Sequence, residues 1–362
     1  MSKSNINALT GLDVLRAESP GDPEVCVAIL DGPVDLSHPC FEGARLTRLQ
    51  TLVPGVASAG PASRHGTHIT SVIFGQPGSP VQGIAPGCRG VLLPLFKDGA
   101  GEPLAPCSQL DLARGISQAV QEGAHIINIS GGQFDPTGAA DPILADAVRA
   151  CAAHNVLIVA AVGNEGCACL HVPAALPAVL AVGAMNAEGT PLEFSNWGDA
   201  YQTQGLLAPG EGIRGAVPGG GVTTLSGTSF AAAVVSGVVA LLLSLQRQGG
   251  FQPDPQAVRA ALLESAYPCD PLEAVDCGRF LAGRLNISGA YERLAGGRKR
   301  DAPDDRAPHR DTYSGEGGYM LKAGDRAPDF AVEDHSGREV RLSDYTGQTV
   351  VLWFYPAADT PN

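Results

Sequence analysis

The chain has few basic residues and no cluster of them, since 24 Lys and Arg stand against 37 Asp and Glu in 362 residues, a formal net charge of −13. This balance argues against nucleic acid or an anionic membrane as the main partner. Residues 1–24 lack the apolar segment and cleavage signature of a secretory signal. Later apolar runs are interrupted by Gly, Pro or polar residues before they reach membrane-spanning length. The sequence therefore predicts a cytoplasmic, soluble protein with no nucleic acid or membrane partner.

Nine cysteines are spread through the chain, an odd number without the density of a small secreted disulfide framework. Most of them are therefore expected to be buried thiols. Cys167, Cys169 and His171 resemble one corner of a metal site, but no second pair at ligand spacing accompanies them. We predict neither a metal nor a cofactor.

Short apolar runs alternate with helical patterns along most of the chain, which at this length indicates one large domain and something smaller. Strands are predicted at 25–30, 90–96, 124–129, 156–162 and 179–182. Helices are predicted at 108–122, 141–154 and 230–245, with another beginning near residue 65, whereas 194–198 and 207–210 are predicted as loops and turns. This alternation predicts an α/β fold whose parallel sheet is covered by helices on both faces.

Ser229 lies in the stretch Leu225-Ser-Gly-Thr-Ser-Phe-Ala-Ala-Ala-Val-Val235, where small residues precede a long apolar run. The pattern predicts a tight turn leading into a buried helix, with the hydroxyl at the helix N-terminus. A simple N-cap explains the same residues. A serine hydroxyl is a poor nucleophile at neutral pH, so a catalytic role requires a base and an orienting acid elsewhere.

Asp31 and His65 are the residues that meet this requirement. Asp31 ends a predicted buried strand and so lies at the sheet edge where catalytic groups collect, while Asp35 is a turn residue or a supporting carboxylate. His65 begins a predicted helix and His68 follows one turn later, without the spacing or glutamate of an HEXXH zinc motif. Gly66 lets another chain approach closely, as a substrate would. We therefore interpret His65 as a base and His68 as structural.

Two glycine-containing loops follow predicted strands. Asn164 lies in Gly-Asn-Glu-Gly after the strand at 156–162; such residues are usually turn formers, yet an Asn side chain there also suits donation to a developing oxyanion. Ser130, Gly131 and Gly132 follow the strand at 124–129, and their exposed backbone suits pairing with an extended peptide. An ordinary glycine turn explains the same residues.

The order Asp31, His65, Asn164, Ser229 resembles that of subtilisin-like serine proteases over residues 25–294. The resemblance implies that Ser229 is the nucleophile, His65 the general base and then acid, Asp31 the carboxylate that orients the imidazole, and Asn164 the oxyanion donor. It also implies that Ser130–Gly132 pair with the substrate backbone. Two positions depart from the family: Gly32 replaces the usual Ser or Thr, and Ala233 replaces the usual proline.

Further segments resemble the cyanobactin maturation proteases of the PatA type, namely 31–35, 37–41, 74–80, 167–173 and 194–201. That family cleaves a ribosomal precursor peptide on the leader side of its core, so the resemblance implies a precursor peptide as substrate. General intracellular proteolysis and an idle scaffold that binds leader peptides are the alternatives. Cys269 with Cys277, and Cys167 with another cysteine, are candidate disulfide pairs.

The C-terminal part differs in composition, so we predict a peptidase domain at 1–294, a flexible linker at 295–319 and a separate fragment at 320–362. The fragment resembles the opening strands of a peroxiredoxin, an incomplete thioredoxin-like fold. Pro356 and Thr360 match a motif whose reactive cysteine would follow Asn362. We hypothesise that this position is selenocysteine encoded by UGA; a frameshift, an artificial boundary or a vestigial fusion are the alternatives. As it stands, the fragment is expected to be poorly packed and inert as a peroxidase.

Overall fold

The computed structural model describes residues 9–51, 53, 55–98, 107–272, 274, 276–298, 331–333 and 339–345. The chain divides into two units, Met1–Ala302 and Pro303–Asn362, which are described separately. Of the predicted linker at 295–319, residues 295–298 are helical rather than flexible, since a helix runs on to Arg298. Residues 299–319 and the motif at Pro356, Thr360 and Asn362 lie outside the described residues.

The strands of the first unit are short and mostly apolar. They are β1 Cys26–Asp31, β2 Arg45–Arg48, β3 Arg89–Pro94, β4 Ile126–Ile129, β5 Gln133–Phe134, β6 Leu157–Ala161, β7 His171–Val172, β8 Leu180–Met185, β9 Gly205–Pro209, β10 Ile213–Val217, β11 Gly221–Leu225 and β12 Gly283–Arg284. Eight of them form a parallel sheet in the order β12-β9-β8-β6-β4-β1-β3-β2. Two antiparallel pairs, β10 with β11 and β5 with β7, lie outside it.

Helices cover both faces of this sheet. They are α1 Leu12–Glu18, α2 Pro61–Phe74, α3 Gln109–Gln121, α4 Pro142–Ala153, α5 Thr228–Gln248, α6 Pro255–Ser265 and α7 Ile287–Arg298. Alternate residues of β1 join separate cores: Val27 and Ile29 pack with α2 and α5, whereas Ala28 and Leu30 pack with α3 and α4. Burial on both faces explains why the strands are continuous apolar runs. The predicted α/β class with a doubly covered parallel sheet is confirmed.

Two local expectations are wrong. Residues 207–210 were expected to be a turn, but β9 runs through Pro209 beside β8. Proline is tolerated there because Pro209 is the last residue of the strand and has only β12 on its other side, at its opposite end. The helix carrying His65 begins at Pro61, so His65 lies one turn inside α2 rather than at its start.

Helix α5 is long and apolar enough, by length and composition, to cross a membrane, contrary to the expectation that no run reaches that length. Nearly all of it is buried inside the protein, and it packs against β4, β6, β8 and β9. The helix also continues unbroken through Ala233. Its apolar composition is therefore that of a central core helix.

Four cysteines form two disulfides, Cys167–Cys169 and Cys269–Cys277. The second is a candidate pair from the sequence, and the first joins the two cysteines that resembled a metal corner. Four of the five free cysteines are buried, and Cys107 is half-buried. The cytoplasmic location stays a prediction.

In the second unit, two short strands form an antiparallel pair, β13 Ala331–Glu333 and β14 Glu339–Arg341. A 3₁₀ turn, Leu342–Tyr345, follows them directly. These are the described parts of the fragment that was predicted at 320–362.

Candidate active site

Three predicted site segments leave neighbouring strands at the same edge of the sheet. Asp31 is the last residue of β1, Ser130 follows β4, and Asn164 lies three residues beyond β6. The strands are adjacent in the order β6, β4, β1 and run parallel, so their carboxyl ends lie side by side. Topology alone thus collects residues that are far apart in the sequence.

The buried Asp31 carboxylate pairs with the half-buried His65 imidazole. His65 Nδ1 lies 2.8 Å from Asp31 Oδ1, an oxygen that also accepts from the Gly32 amide at 2.7 Å. A carboxylate only accepts, so Nδ1 carries the proton, and Nε2 of the neutral ring keeps its lone pair. Burial by itself would lower the pKa of His65, but the charge of Asp31 and its hydrogen bond hold that pKa above its ordinary value.

Glycines allow the loop after Asp31 to touch the start of α2. A Cβ on Gly32 would collide with the Ala62 backbone, and one on Gly66 would collide with the Gly32 carbonyl oxygen. What approaches Gly66 is therefore the loop that carries Asp31, and the expectation that this glycine makes room for substrate is wrong. Its close approach brings His65 within reach of Asp31.

Ser229 is the second residue of α5 and is 9% exposed. Its Oγ donates to the Ser130 carbonyl oxygen at 3.0 Å and makes no hydrogen bond to His65 within the described part of the chain. The neighbouring Phe230 ring packs against the His65 ring, with centroids 5.6 Å apart. His65 therefore contacts the residue that follows Ser229, while the Ser229 hydroxyl is turned toward Ser130.

Asn164 is exposed, and the N-terminus of α5 fixes its amide orientation. Its Oδ1 accepts from the Thr228 amide at 2.9 Å and from the Thr228 hydroxyl at 3.1 Å. A backbone amide only donates, so Oδ1 is the atom held there and Nδ2 keeps its donors for another group. Thr228 was not predicted as a site residue, although it lies directly before Ser229 in the sequence.

The glycines of Ser130–Gly132 have packing roles in the folded chain. A Cβ on Gly131 would lie 2.8 Å from Cζ of Phe96, and one on Gly132 would lie 2.9 Å from the Val172 carbonyl oxygen. The absence of side chains therefore lets Gly131 approach Phe96 and lets Gly132 approach β7. Pairing of this segment with a substrate stays a prediction.

The other two residues considered from the sequence have structural surroundings. His68 is fully buried against Phe230, and burial, followed by the nearby His65, lowers its pKa to about 4. Asp35 accepts hydrogen bonds from the Ser37 and Gly219 amides, which closes a turn and ties it to the β10–β11 hairpin. Neither residue is in hydrogen-bond contact with Asp31, His65 or Ser229 within the described residues.

Comparison with known proteins identifies the family. A model of the subtilase family, Peptidase S8, matches residues 22–313. The chain belongs to the subtilase family. A model of the AhpC/TSA family matches residues 323–362, so the C-terminal part resembles the start of a peroxiredoxin.

Solved subtilases include close relatives. The prenylagaramide maturation protease PagA is 57% identical, with a TM-score of 0.74 over 80% of this chain and 99% of its own. The patellamide maturation protease PatA is 60% identical, with a TM-score of 0.70 over 76% of this chain and 98% of its own. Subtilisin-like protease 7 of Trichophyton tonsurans is 30% identical over 62% of this chain and 53% of its own. The chain thus spans about half the length of the first curated relatives that it matches.

Proposed function

We propose that the protein is a serine endopeptidase in which Asp31, His65 and Ser229 form a catalytic triad and Asn164 stabilises the oxyanion. The observation that carries the proposal is the hydrogen bond between His65 Nδ1 and the buried Asp31 carboxylate, which leaves Nε2 as the basic atom of the imidazole. Membership of the subtilase family supports the same assignment.

The reaction begins with a change in the Ser229 hydroxyl. The hydroxyl leaves the Ser130 carbonyl oxygen and donates to His65 Nε2 instead, since catalytic hydrogen bonds that are long or absent in the free enzyme tighten when substrate binds. His65 Nε2 then accepts the hydroxyl proton as Oγ attacks the scissile carbonyl, and Asp31 stabilises the resulting imidazolium. The same proton passes to the leaving amine, and water later hydrolyses the acyl-enzyme with His65 again acting as base.

Asn164 and the 130–132 segment supply binding in this mechanism. The Nδ2 group of Asn164 donates to the oxygen that becomes negative during attack, because its Oδ1 is already held by Thr228. The backbone of Ser130–Gly132 pairs with an extended substrate on the same side of the sheet. Both groups act on the peptide backbone and are independent of side-chain identity.

We propose a ribosomal precursor peptide as the substrate, cleaved on the leader side of its core. The support is the identity of 57–60% with PagA and PatA, both described as maturation proteases. General proteolysis uses the same chemistry on a wider range of substrates, and an idle scaffold would bind the leader without cleaving it.

The test is incubation of the full chain with a precursor peptide encoded beside its gene and, separately, with casein, followed by mass spectrometry. We expect one cut in the precursor, little cleavage of casein, and a loss of turnover of roughly a million-fold in Ser229→Ala. Equal cleavage of casein would indicate general proteolysis. Binding of the precursor without any cut would indicate the scaffold, and undiminished cleavage by Ser229→Ala would refute the triad.

A further inference from the structure

Behind Ser229 lies a directed chain of buried side-chain hydrogen bonds. The Ser236 hydroxyl donates to Asn128 Oδ1 at 2.9 Å, and Asn128 Nδ2 donates to Ser130 Oγ at 2.8 Å. The Ser130 hydroxyl in turn donates to the Ser229 carbonyl oxygen at 3.1 Å. The side chains of Asn128, Ser130 and Ser236 are almost completely buried, so each hydrogen bond has replaced contact with water.

The two elements present these residues in register. Asn128 and Ser130 are two positions apart and therefore point to the same face at the end of β4. Ser229 and Ser236 are seven positions apart, which is two turns of α5 and again one face. Because α5 packs on β4, the chain of hydrogen bonds connects the first two turns of the helix to the strand end.

A side-chain amide in the middle of β4 is buried among apolar residues, and apolar packing does not compensate for its lost contact with water. The other residues of the strand are all isoleucines, and a buried Asn without partners would be strongly unfavourable. Here Asn128 Oδ1 accepts from Ser236 and Asn128 Nδ2 donates to Ser130. Ser130 in turn donates to the carbonyl oxygen of Ser229, the proposed nucleophile. The arrangement thus connects a buried polar residue of the core to the Ser229 backbone.

We propose that Asn128 and Ser236 are positioning residues for Ser229, acting through Ser130. They fix the Ser229 carbonyl, and with it the direction of the Cα–Cβ bond, relative to Ser130 and to His65. Ser130 and Ser229 exchange two hydrogen bonds, so any slippage of α5 along β4 would displace the nucleophile and the 130–132 segment against each other. The inference rests on the proposed function for its kinetic consequence but not for its structural one.

The test compares two variants that each remove one buried hydroxyl from α5. Ser236→Ala removes the first donor of the chain. Ser244→Ala is the matched control, since Ser244 is also buried, donates to the Ala240 carbonyl and accepts from the Asp22 amide, away from the site. Hydrogen exchange of residues 226–235 is measured in the full chain, together with kcat and KM for peptide cleavage.

We expect Ser236→Ala to speed hydrogen exchange in residues 226–235 and to lower kcat, each roughly tenfold, with KM unchanged. The reason is that Asn128 Oδ1 loses its only side-chain donor among the described hydrogen bonds. Ser244→Ala should change neither quantity. Asn128→Ala should lower kcat further, and adding Ser236→Ala to it should have no additional effect, because both act through one chain. If Ser236→Ala does not fold, Ser236→Cys gives the same comparison, since a thiol is a weak donor.

Three results would overturn the inference: unchanged exchange in Ser236→Ala, unchanged kcat despite faster exchange, or equal effects of Ser236→Ala and Ser244→Ala. Failure of the proposed function would be visible separately, as a wild-type chain that cleaves no peptide. In that case the exchange comparison still decides whether the hydrogen-bonded chain holds the start of α5.

Discussion

At His65, burial and the Asp31 carboxylate act on the pKa in opposite directions, and the carboxylate prevails. The neutral ring is the base, so activity should appear as pH rises through a pKa above the ordinary histidine value of about 6.5. A profile of kcat/KM against pH measures this limb. In Asp31→Asn the limb should move to lower pH and activity should fall on the order of ten-thousand-fold.

The same pair affects stability with a defined sign. Because the pKa of His65 is raised in the folded state, protonated His65 stabilises the fold through its pair with Asp31. This contribution to the free energy of unfolding is complete below about pH 6.5 and is lost as pH rises through the folded-state pKa. An acid limb of kcat/KM below about pH 6 in the wild-type chain would contradict a raised pKa of His65.

The two roles of the Asn164 side-chain amide, Oδ1 as acceptor from Thr228 and Nδ2 as donor to the oxyanion, can be tested separately. Asn164→Asp keeps an oxygen for Thr228 but removes the Nδ2 donor and adds a negative charge beside the developing oxyanion. We expect kcat to fall at least as far as in Asn164→Ala, which should lose roughly a hundred- to a thousand-fold, with little change in KM. Steady-state kinetics of both variants measure this, and an Asn164→Asp variant with near-normal kcat would contradict the oxyanion role.

The proposed reacting residues could be named from the sequence because each stands in a short local motif. The partners that hold Asn164 and Ser229 could not be named in this way. Thr228 holds Asn164 across sixty-four positions of sequence, and Asn128 connects to Ser229 across the strand and helix. No local sequence pattern predicts such partners, since they come into contact only when the folded sheet brings the strand ends together. Gly66 was misinterpreted for the same reason, because the neighbour that needs the space belongs to another loop.

At the level of elements, the contact between the loop after β1 and the start of α2 explains a departure from the family. A side chain at Gly32 would meet the Ala62 carbonyl group. We therefore expect Gly32→Ser, which restores the usual residue type, to destabilise the fold by about 1–3 kcal/mol and to lower activity by moving His65 from Asp31. Thermal unfolding and kcat measure the two effects.

A second variant identifies the cause. Ala62→Gly combined with Gly32→Ser should not restore stability, because the colliding atoms of Ala62 belong to its backbone. A Gly32→Ser variant as stable and active as the wild type would show that the loop and α2 separate without cost.

The elements that the sequence predicted are those with continuous apolar runs, such as β1, β4, β6 and α5. β9 was missed because Pro209 and Gly210 signal a turn, although only the last residue of the strand is a proline. β2 was missed because it is an exposed edge strand, and β12 because it has only two residues. Local sequence patterns do not predict strands such as β2, β9 and β12, whose formation depends on pairing with a neighbouring strand.

At the level of the whole molecule, the subtilase core ends before the peroxiredoxin-like part begins. Helix α7 runs to Arg298 and packs against α6, and the solved PatA structures match about three quarters of this chain over nearly their whole length. We expect residues 1–302 alone to cleave peptide with unchanged kcat and KM. Kinetics beside the full chain measure this, and a loss above tenfold in either constant would show that residues 303–362 contribute to the site.

The parallel architecture follows from alternation of elements, but the order of strands in the sheet does not follow from sequence patterns. That order is what brings Asp31, Ser130 and Asn164 to one edge. The ordered motifs could be combined into one proposed site because the resemblance to a known family supplied the missing strand order.

The most direct test of the account is reaction of the full chain with a fluorophosphonate, followed by mass spectrometry of the peptides. An activated serine reacts with this probe and an ordinary hydroxyl does not. We predict a single adduct on Ser229, formed more slowly by orders of magnitude in His65→Ala and absent in Ser229→Ala. Failure of the folded wild-type chain to form this adduct, or equal labelling in His65→Ala, would contradict the proposal that His65 activates Ser229.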